Sequence, residues 1–229
     1  CVYDVVDKRT FDALSPWFEE RKSSMEKVDV VAMDMSAGYE KIAKKYAENA
    51  DVCFDRFHIM QVAQKAVDTT RKNEQKSMSE DDRQMMFGTR YDFLYGRERL
   101  PEQNVARFEQ AKLVAKKTSK AWAIKENLRD MWTTANGDTE KAKIYFNKWY
   151  WWATHSRIKP IIKAAHTLKT HCEGIFSAIE LGISNALTEG MNNKIESVKR
   201  NACGFRNKDS FRTAILFHCG KLDMMPQIA

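Results

Sequence analysis

The 229-residue chain is 43% hydrophobic and carries six Trp and twelve Phe, which argues for a packed globule and against a disordered chain. Its net charge of +7 is uneven: residues 141–229 hold 14 Lys and Arg against 6 Asp and Glu, whereas the first 140 residues hold 24 against 25. No apolar run approaches the ~18–20 residues that cross a bilayer and no signal-peptide pattern opens the chain, so no membrane partner is expected.

Val2-Tyr3-Asp4-Val5-Val6 predicts a strand. Thr10 to Ser24 predicts a helix restarted at Ser15-Pro16, where Ser can cap and Pro can take the first helical position. Residues 28–33 are almost continuously apolar, the pattern of a strand buried on both faces, and they run into Asp34. Tyr39, Ile42, Ala43, Tyr46 and Ala47 then repeat at helical spacing, with Asn49 as a stop. Residues 50–54 predict a second short buried strand, which runs into Asp55. Such a strand–helix–strand unit implies parallel strands and a right-handed crossover.

After His58 the pattern turns helical, beginning with a stripe of Ile59, Val62, Ala63, Ala66 and Val67. Further helices are expected at about 101–117, 118–135, 138–153, 158–168 and 171–179, with Thr118 and Asp138 as N-caps and Gly137 as a stop. A last basic helix from about Asn185 to Ala202 carries the stripe Leu187, Met191, Ile195, Val198 and Ala202, and Gly204 ends it. The expected fold class is therefore α/β: a core begun by residues 1–58, an all-helical insertion over 59–180, and a C-terminal part of the core over 181–229.

The five cysteines are odd in number and form no CxxC pair, which fits a reducing, cytoplasmic compartment better than a disulfide framework. His171-Cys172 and His218-Cys219 do not make a zinc site readily, because adjacent helical ligands diverge by about 100°. The basic C-terminal third points to a polyanion, nucleic acid first, with ordinary solvated helix surface as the alternative.

In open parallel sheets, ligands bind beyond the carboxyl ends of the strands. Asp34 and Asp55 both stand there, each just before a helix. Each could be only a helix N-cap, but two on successive strands make a divalent-metal site worth considering. Glu189 lies about 200° around its helix from Leu187, beside Asn192, Asn193 and Glu196, and a solvated face is its simpler reading. Carboxylates suit Mg²⁺ or Mn²⁺, and two such ions about 3.5–4 Å apart can activate a hydroxyl and stabilise a leaving oxygen at a phosphodiester. His58 could orient Asp55 or simply pack as a first-turn helix residue.

Several segments carry a family resemblance: Val31-Ala32-Met33-Asp34-Met35-Ser36, Phe54-Asp55-Arg56-Phe57-His58, Ser156-Arg157-Ile158-Lys159-Pro160, the run Ser184 to Ile195, and Gly204-Phe205-Arg206-Asn207. In this order, over essentially the whole chain, they resemble the catalytic domain of bacterial insertion-sequence transposases of the ISL3 group. These have a ribonuclease H-like core, a large helical insertion and an Asp-Asp-Glu site. The resemblance implies that Asp34 and Glu189 are catalytic metal ligands for Mg²⁺ or Mn²⁺. It implies that Asp55 and His58 are a supporting pair, matching a Cys-or-Asp, two residues, His signature. The DNA transposon ends and target are the implied partners, with a homo-oligomer as the active form and the bacterial cytoplasm, at the nucleoid, as the location.

The first catalytic Asp of such cores belongs to an opening strand before residues 2–6, so the core is expected to be incomplete here and the chain inactive alone. Arg56, Lys194, Lys199, Arg200 and Arg206 are candidates for phosphate contacts, although Lys194 and Arg200 point to different sides of their helix. Trp149, Tyr150, Trp151 and Trp152 span almost a full helical turn, so some face outward. The resemblance implies that one of them could stack on a base; core packing is the simpler role for most. Two other readings compete. One is a non-catalytic DNA-binding or dimerisation remnant, and the other is a ribonuclease H-like nuclease without strand transfer.

Overall fold

The computed structural model describes residues 1–183 and 186–220, and the side chains of all of these except 186–189. In chain order it contains helices α1 (Phe11–Glu19) and α2 (Lys22–Met25), strand β1 (Val30–Met33), helix α3 (Ala37–Tyr46) and strand β2 (Asp51–Phe54). Then follow α4 (Arg56–Gln75), α5 (Glu80–Met85), α6 (Arg90–Leu94), α7 (Glu102–Val114), α8 (Lys116–Ala135), α9 (Thr139–Thr154), α10 (Lys159–Thr170), α11 (Cys172–Glu180), α12 (Ala186–Asn201) and α13 (Lys208–Cys219). The fold is mostly helical, with one parallel pair of strands among the described residues in the register Val30 to Asp51 and Met33 to Phe54.

Two compact units divide the chain: Cys1–Asp29, Ser36–Ala50 and Ser184–Ala229 form the first, and Val30–Met35 with Asp51–Ile183 the second. In the second unit α4 packs along α8 and α10, α8 along α9, and α11 against β2 and α9. Of the stripe read from sequence, α4 buries Ile59, Ala63, Ala66 and Val67, while Val62 is only half-buried against the core and Met60, outside the stripe, is buried with them. Each fully buried large aliphatic chain there stabilises by about 1.5–3 kcal/mol. The first-turn glycine of α11, Gly174, allows the close approach to β2, since a Cβ there would stand 2.5 Å from the Phe54 ring.

Caps start several of these helices. Asp55 Oδ1 accepts from Phe57 N–H at 2.9 Å to start α4, and Asp138 Oδ1 accepts from Lys141 N–H at 3.0 Å to start α9. Thr118, expected to cap α8, lies instead inside its first turn. The helix starts two residues earlier, and Glu74 on α4 accepts from the N–H groups of Lys117 and Thr118 at 2.9 and 2.7 Å. A carboxylate from a neighbouring helix thus does the work of a local cap.

In the first unit α1 packs on α3 and α12 on α13. Phe18 stacks on Tyr46, whose hydroxyl donates to Glu19 at 2.7 Å. Three local expectations change. Residues 2–6 form no strand, because a strand needs a ladder, and the backbone here is tied to α13 by the Val2 N–H bond to the Cys219 carbonyl at 2.9 Å. Pro16 sits inside α1 rather than restarting it, with Thr10 as the cap; the break comes at Glu20–Arg21. The two strands are also less buried than their apolar runs imply, since Ala32 and Asp51 are exposed and only Cys53 and Phe54 are fully covered.

Candidate active site

The parallel register sets Met33 beside Phe54, so the next residues, Asp34 and Asp55, leave the sheet from adjacent strand ends. His58, in the first turn of α4, lies between their carboxylates. Its Nδ1 is 3.5 Å from Asp34 Oδ1 and 3.2 Å from Gln61 Oε1, and its Nε2 is 3.8 Å from Asp55 Oδ2. Both carboxylate distances are longer than those of formed hydrogen bonds. Side-chain exposure separates the two acids: Asp34 keeps 25% and Asp55 only 7%. Asp55 also spends one oxygen on the helix cap, and Asp34 is the more exposed of the two carboxylates.

Arg56, next in the chain, points to α8. Its guanidinium lies 4.9 Å from the centre of the Trp132 ring and donates to the Arg129 carbonyl at 3.4 Å. Burial first, and then the nearby Arg129 charge, lower its pKa from the ordinary arginine value. This side chain braces the β2–α4 corner against the helical block. Gln61 joins the corner without being a candidate from sequence; its position one turn after His58 is the signal that could have found it.

Glu189 falls on the described backbone of α12, and its side chain is outside the described ones. Ser184 and Asn185 of the same motif lie outside the described residues. Lys194, Lys199, Arg200 and Arg206 are exposed, while Met191, Ile195 and Val198 form the half-buried stripe of α12. Cys203 and Gly204 both take positive φ, and Gly204 N–H reaches back to the Lys199 carbonyl at 3.1 Å, closing the helix end. Of the four consecutive aromatics, Trp149 is buried and donates to the Ile124 carbonyl at 2.9 Å, whereas Trp151 is 63% exposed and stacked on His155.

Among the described residues no group of three or more His, Cys, Asp or Glu side chains converges as a metal cage. The donor chemistry at the strand ends nonetheless suits a hard cation, since the oxygens of Asp34 and Asp55 are hard donors. No helix of the described residues is long and apolar enough to cross a membrane.

Comparison with known proteins decides the family. Residues 1–215 match a family described as Transposase, of the ISL3 type with an Asp-Asp-Glu name. The chain belongs to the ISL3-like insertion-sequence transposases. It is 23% identical over 207 residues to the transposase of insertion element IS1001 of Bordetella parapertussis, covering 89% of this chain and 50% of that protein. It is 26% identical over 220 residues to the transposase of IS1557 of Mycobacterium tuberculosis, covering 86% of this chain and 48% of that protein. The chain therefore spans about half the length of these curated relatives. No solved structure matches it.

Proposed function

We propose that the chain is part of a DNA transposase that cuts DNA strands and joins them elsewhere, moving an insertion sequence, on a ribonuclease H-like core. The observation that carries this reading is the strand-end corner, where Asp34 and Asp55 stand at adjacent parallel strand ends with His58 between them. Asp34 and, on α12, Glu189 would hold Mg²⁺ or Mn²⁺. A bound divalent ion would supply Lewis-acid stabilisation of charge at the phosphodiester.

This chain's own residues do the rest. Asp55 fixes the start of α4, and so the place of His58. His58 in turn stands beside Asp34, its Nδ1 3.5 Å from Asp34 Oδ1, and would limit the orientations of that carboxylate. The exposed Lys194, Lys199, Arg200 and Arg206 would meet phosphates along the DNA. Arg56 would act at the same corner by holding it to α8, and Trp151 is the outward ring available to a base. The full enzyme would act as a homo-oligomer on transposon ends and target.

The test is supercoiled-plasmid cleavage by the full-length transposase with its transposon ends, with Mg²⁺ or Mn²⁺ and with EDTA. Nicking that EDTA stops, and that Asp34→Asn and Glu189→Gln each abolish while DNA binding persists, is the expected result. Cleavage retained in either variant sinks the assignment. Metal-independent binding without any cleavage would replace it with a DNA-binding remnant.

A further inference from the structure

On α6 and the turn after it, two aromatic rings lie open to water against each other. Tyr91 and Tyr95 are 54% and 49% exposed, with ring centres 5.5 Å apart and planes 23° apart. The Arg90 guanidinium sits 5.4 Å from the Tyr91 ring centre, half exposed, with its Nε 3.4 Å from Asp68 Oδ1, and Arg97 and Arg99 are exposed on the 3₁₀ turn that follows. The acids of this stretch are already engaged: Asp92 is buried and held by Asn104 and Arg107, and Glu98 pairs with Arg129. The surface is therefore aromatic, with three arginines against one exposed carboxylate, Glu98, that is itself paired with Arg129.

From these residues we infer that the Tyr91–Tyr95 face is a stacking platform for a single DNA strand, with Arg90, Arg97 and Arg99 meeting its phosphates. Two exposed rings in contact present flat faces on which another π-system can stack. Interleaved arginines select a ligand that is both flat-faced and polyanionic, which describes unpaired nucleotides. Duplex DNA keeps its base faces inside its own stack and offers the rings little. An apolar protein partner would cover the rings but leave the arginines without a counter-charge.

The platform also has a connection to the strand-end corner. Arg129 occupies the space that a Cβ on Gly96 would need, so the link between Tyr95 and Arg97 packs directly on it. Arg56, the residue after Asp55, donates to the carbonyl of that same Arg129. A strand stacked on the tyrosines would thus run beside Arg129 and Arg56 toward Asp34. The inference deepens the proposed function and rests on its reading of that corner as the place where DNA is cut.

Binding of this chain to fluorescein-labelled oligo-dT, to an abasic oligomer of equal length and to a duplex, without divalent metal, tests the platform apart from cleavage. Tyr91→Ala and Tyr95→Ala should each weaken oligo-dT binding by about tenfold, and the two Tyr→Phe variants should restore it, because the ring and not the hydroxyl stacks. Abasic and duplex affinities should stay unchanged in all four. Arg97→Ala with Arg99→Ala should lower the salt slope of oligo-dT binding by about 0.7 for each phosphate that is no longer neutralised. With circular dichroism unchanged, Ala variants that bind oligo-dT normally would overturn the inference. So would an equal loss on duplex, or a changed oligomeric state with DNA binding intact. Failure of cleavage in the plasmid assay would leave these results standing, so the two readings fail separately.

Discussion

The second unit is held by a deep core and the first by a thin one. From Phe54 to Ile179 the second unit buries Ile59, Val67, Phe93, Phe108, Leu128, Phe146, Leu168 and Ile175 at or near zero exposure. In the first unit the buried apolar residues, among those described, are Ile42, Ala43, Tyr46 and Ala47 around α3 and Ile215 and Cys219 on α13, while α1 and α2 bury none. The helical block can hold itself, and the corner formed by β1, β2 and α4 is built on its surface. The unit that includes α12, with the exposed basic residues and Glu189, has little apolar burial of its own. Elements that must accept a ligand are commonly drawn from this weakly held end of the stability range.

The largest expected effect breaks the deep core. Phe146→Ala should destabilise the second unit by about 3–5 kcal/mol, whereas Ile215→Ala in the first should cost nearer 2 kcal/mol, because loose surroundings collapse around the smaller side chain. Urea unfolding followed by tryptophan fluorescence reads this difference well, since Trp17 alone of the six lies in the first unit. Hydrogen exchange adds the local view, with amides of α12 and α13 expected to exchange before those of α4 and α8. Equal costs for the two substitutions, with one common transition, would show that the units unfold as one.

A middle-sized effect sharpens the comparison by removing a polar tie within the deep unit. Glu74 supplies the cap for α8 from another helix and also accepts from the Thr118 hydroxyl at 2.7 Å. Glu74→Ala should therefore cost about 1–2 kcal/mol, the upper part of the range for a lost helix cap. The loss should appear as faster exchange at Lys117 and Thr118. Asp138→Ala, which removes the local cap of α9, is the matched comparison at about 1 kcal/mol. If Glu74→Ala costs less than Asp138→Ala, the remote carboxylate is a passenger rather than a cap.

These two units also differ in how much of them can be read from the chain. The helices of the deep unit are legible because their apolar stripes repeat over many turns, and Asp138 is legible as a cap because its partner is three residues away. Thr118 misleads because the residue that replaces it as a cap, Glu74, is 44 positions distant. Lys125 gives the same lesson: it is buried, and its ammonium donates to the Phe93, Leu94 and Tyr95 carbonyls at the end of α6. A helical lysine reads as surface until the neighbouring helix end that needs three donors is known. At the strand ends Asp34 and Asp55 are legible because each closes an apolar run. A link between Asp55 and His58 is open from their first-turn spacing and implied by the family motif, whereas the approach of Asp34 to His58 and the turn of Arg56 toward Trp132 depend on packing that no local pattern encodes.

The smallest effect concerns a tie in the thin unit. Arg212 on α13 donates to Asp4 Oδ1 at 2.7 Å, joining the N-terminal segment to that helix. The hydrogen bond from Arg212, set against partial burial, keeps the Asp4 carboxyl below its ordinary value of 3.8. A carboxylate whose pKa is lower folded than unfolded contributes fully above the unfolded value, and loses that contribution as pH falls through the folded one. Because the arginine is half exposed, Arg212→Ala should lower the melting temperature only slightly at neutral pH, and less in high salt. Melting curves of the two proteins should converge only as pH falls through the folded Asp4 value, which lies below 3.8. A gap that persists in acid would mean that the arginine stem packs rather than pairs, and that the thin unit is held by more apolar contact than its few buried residues indicate.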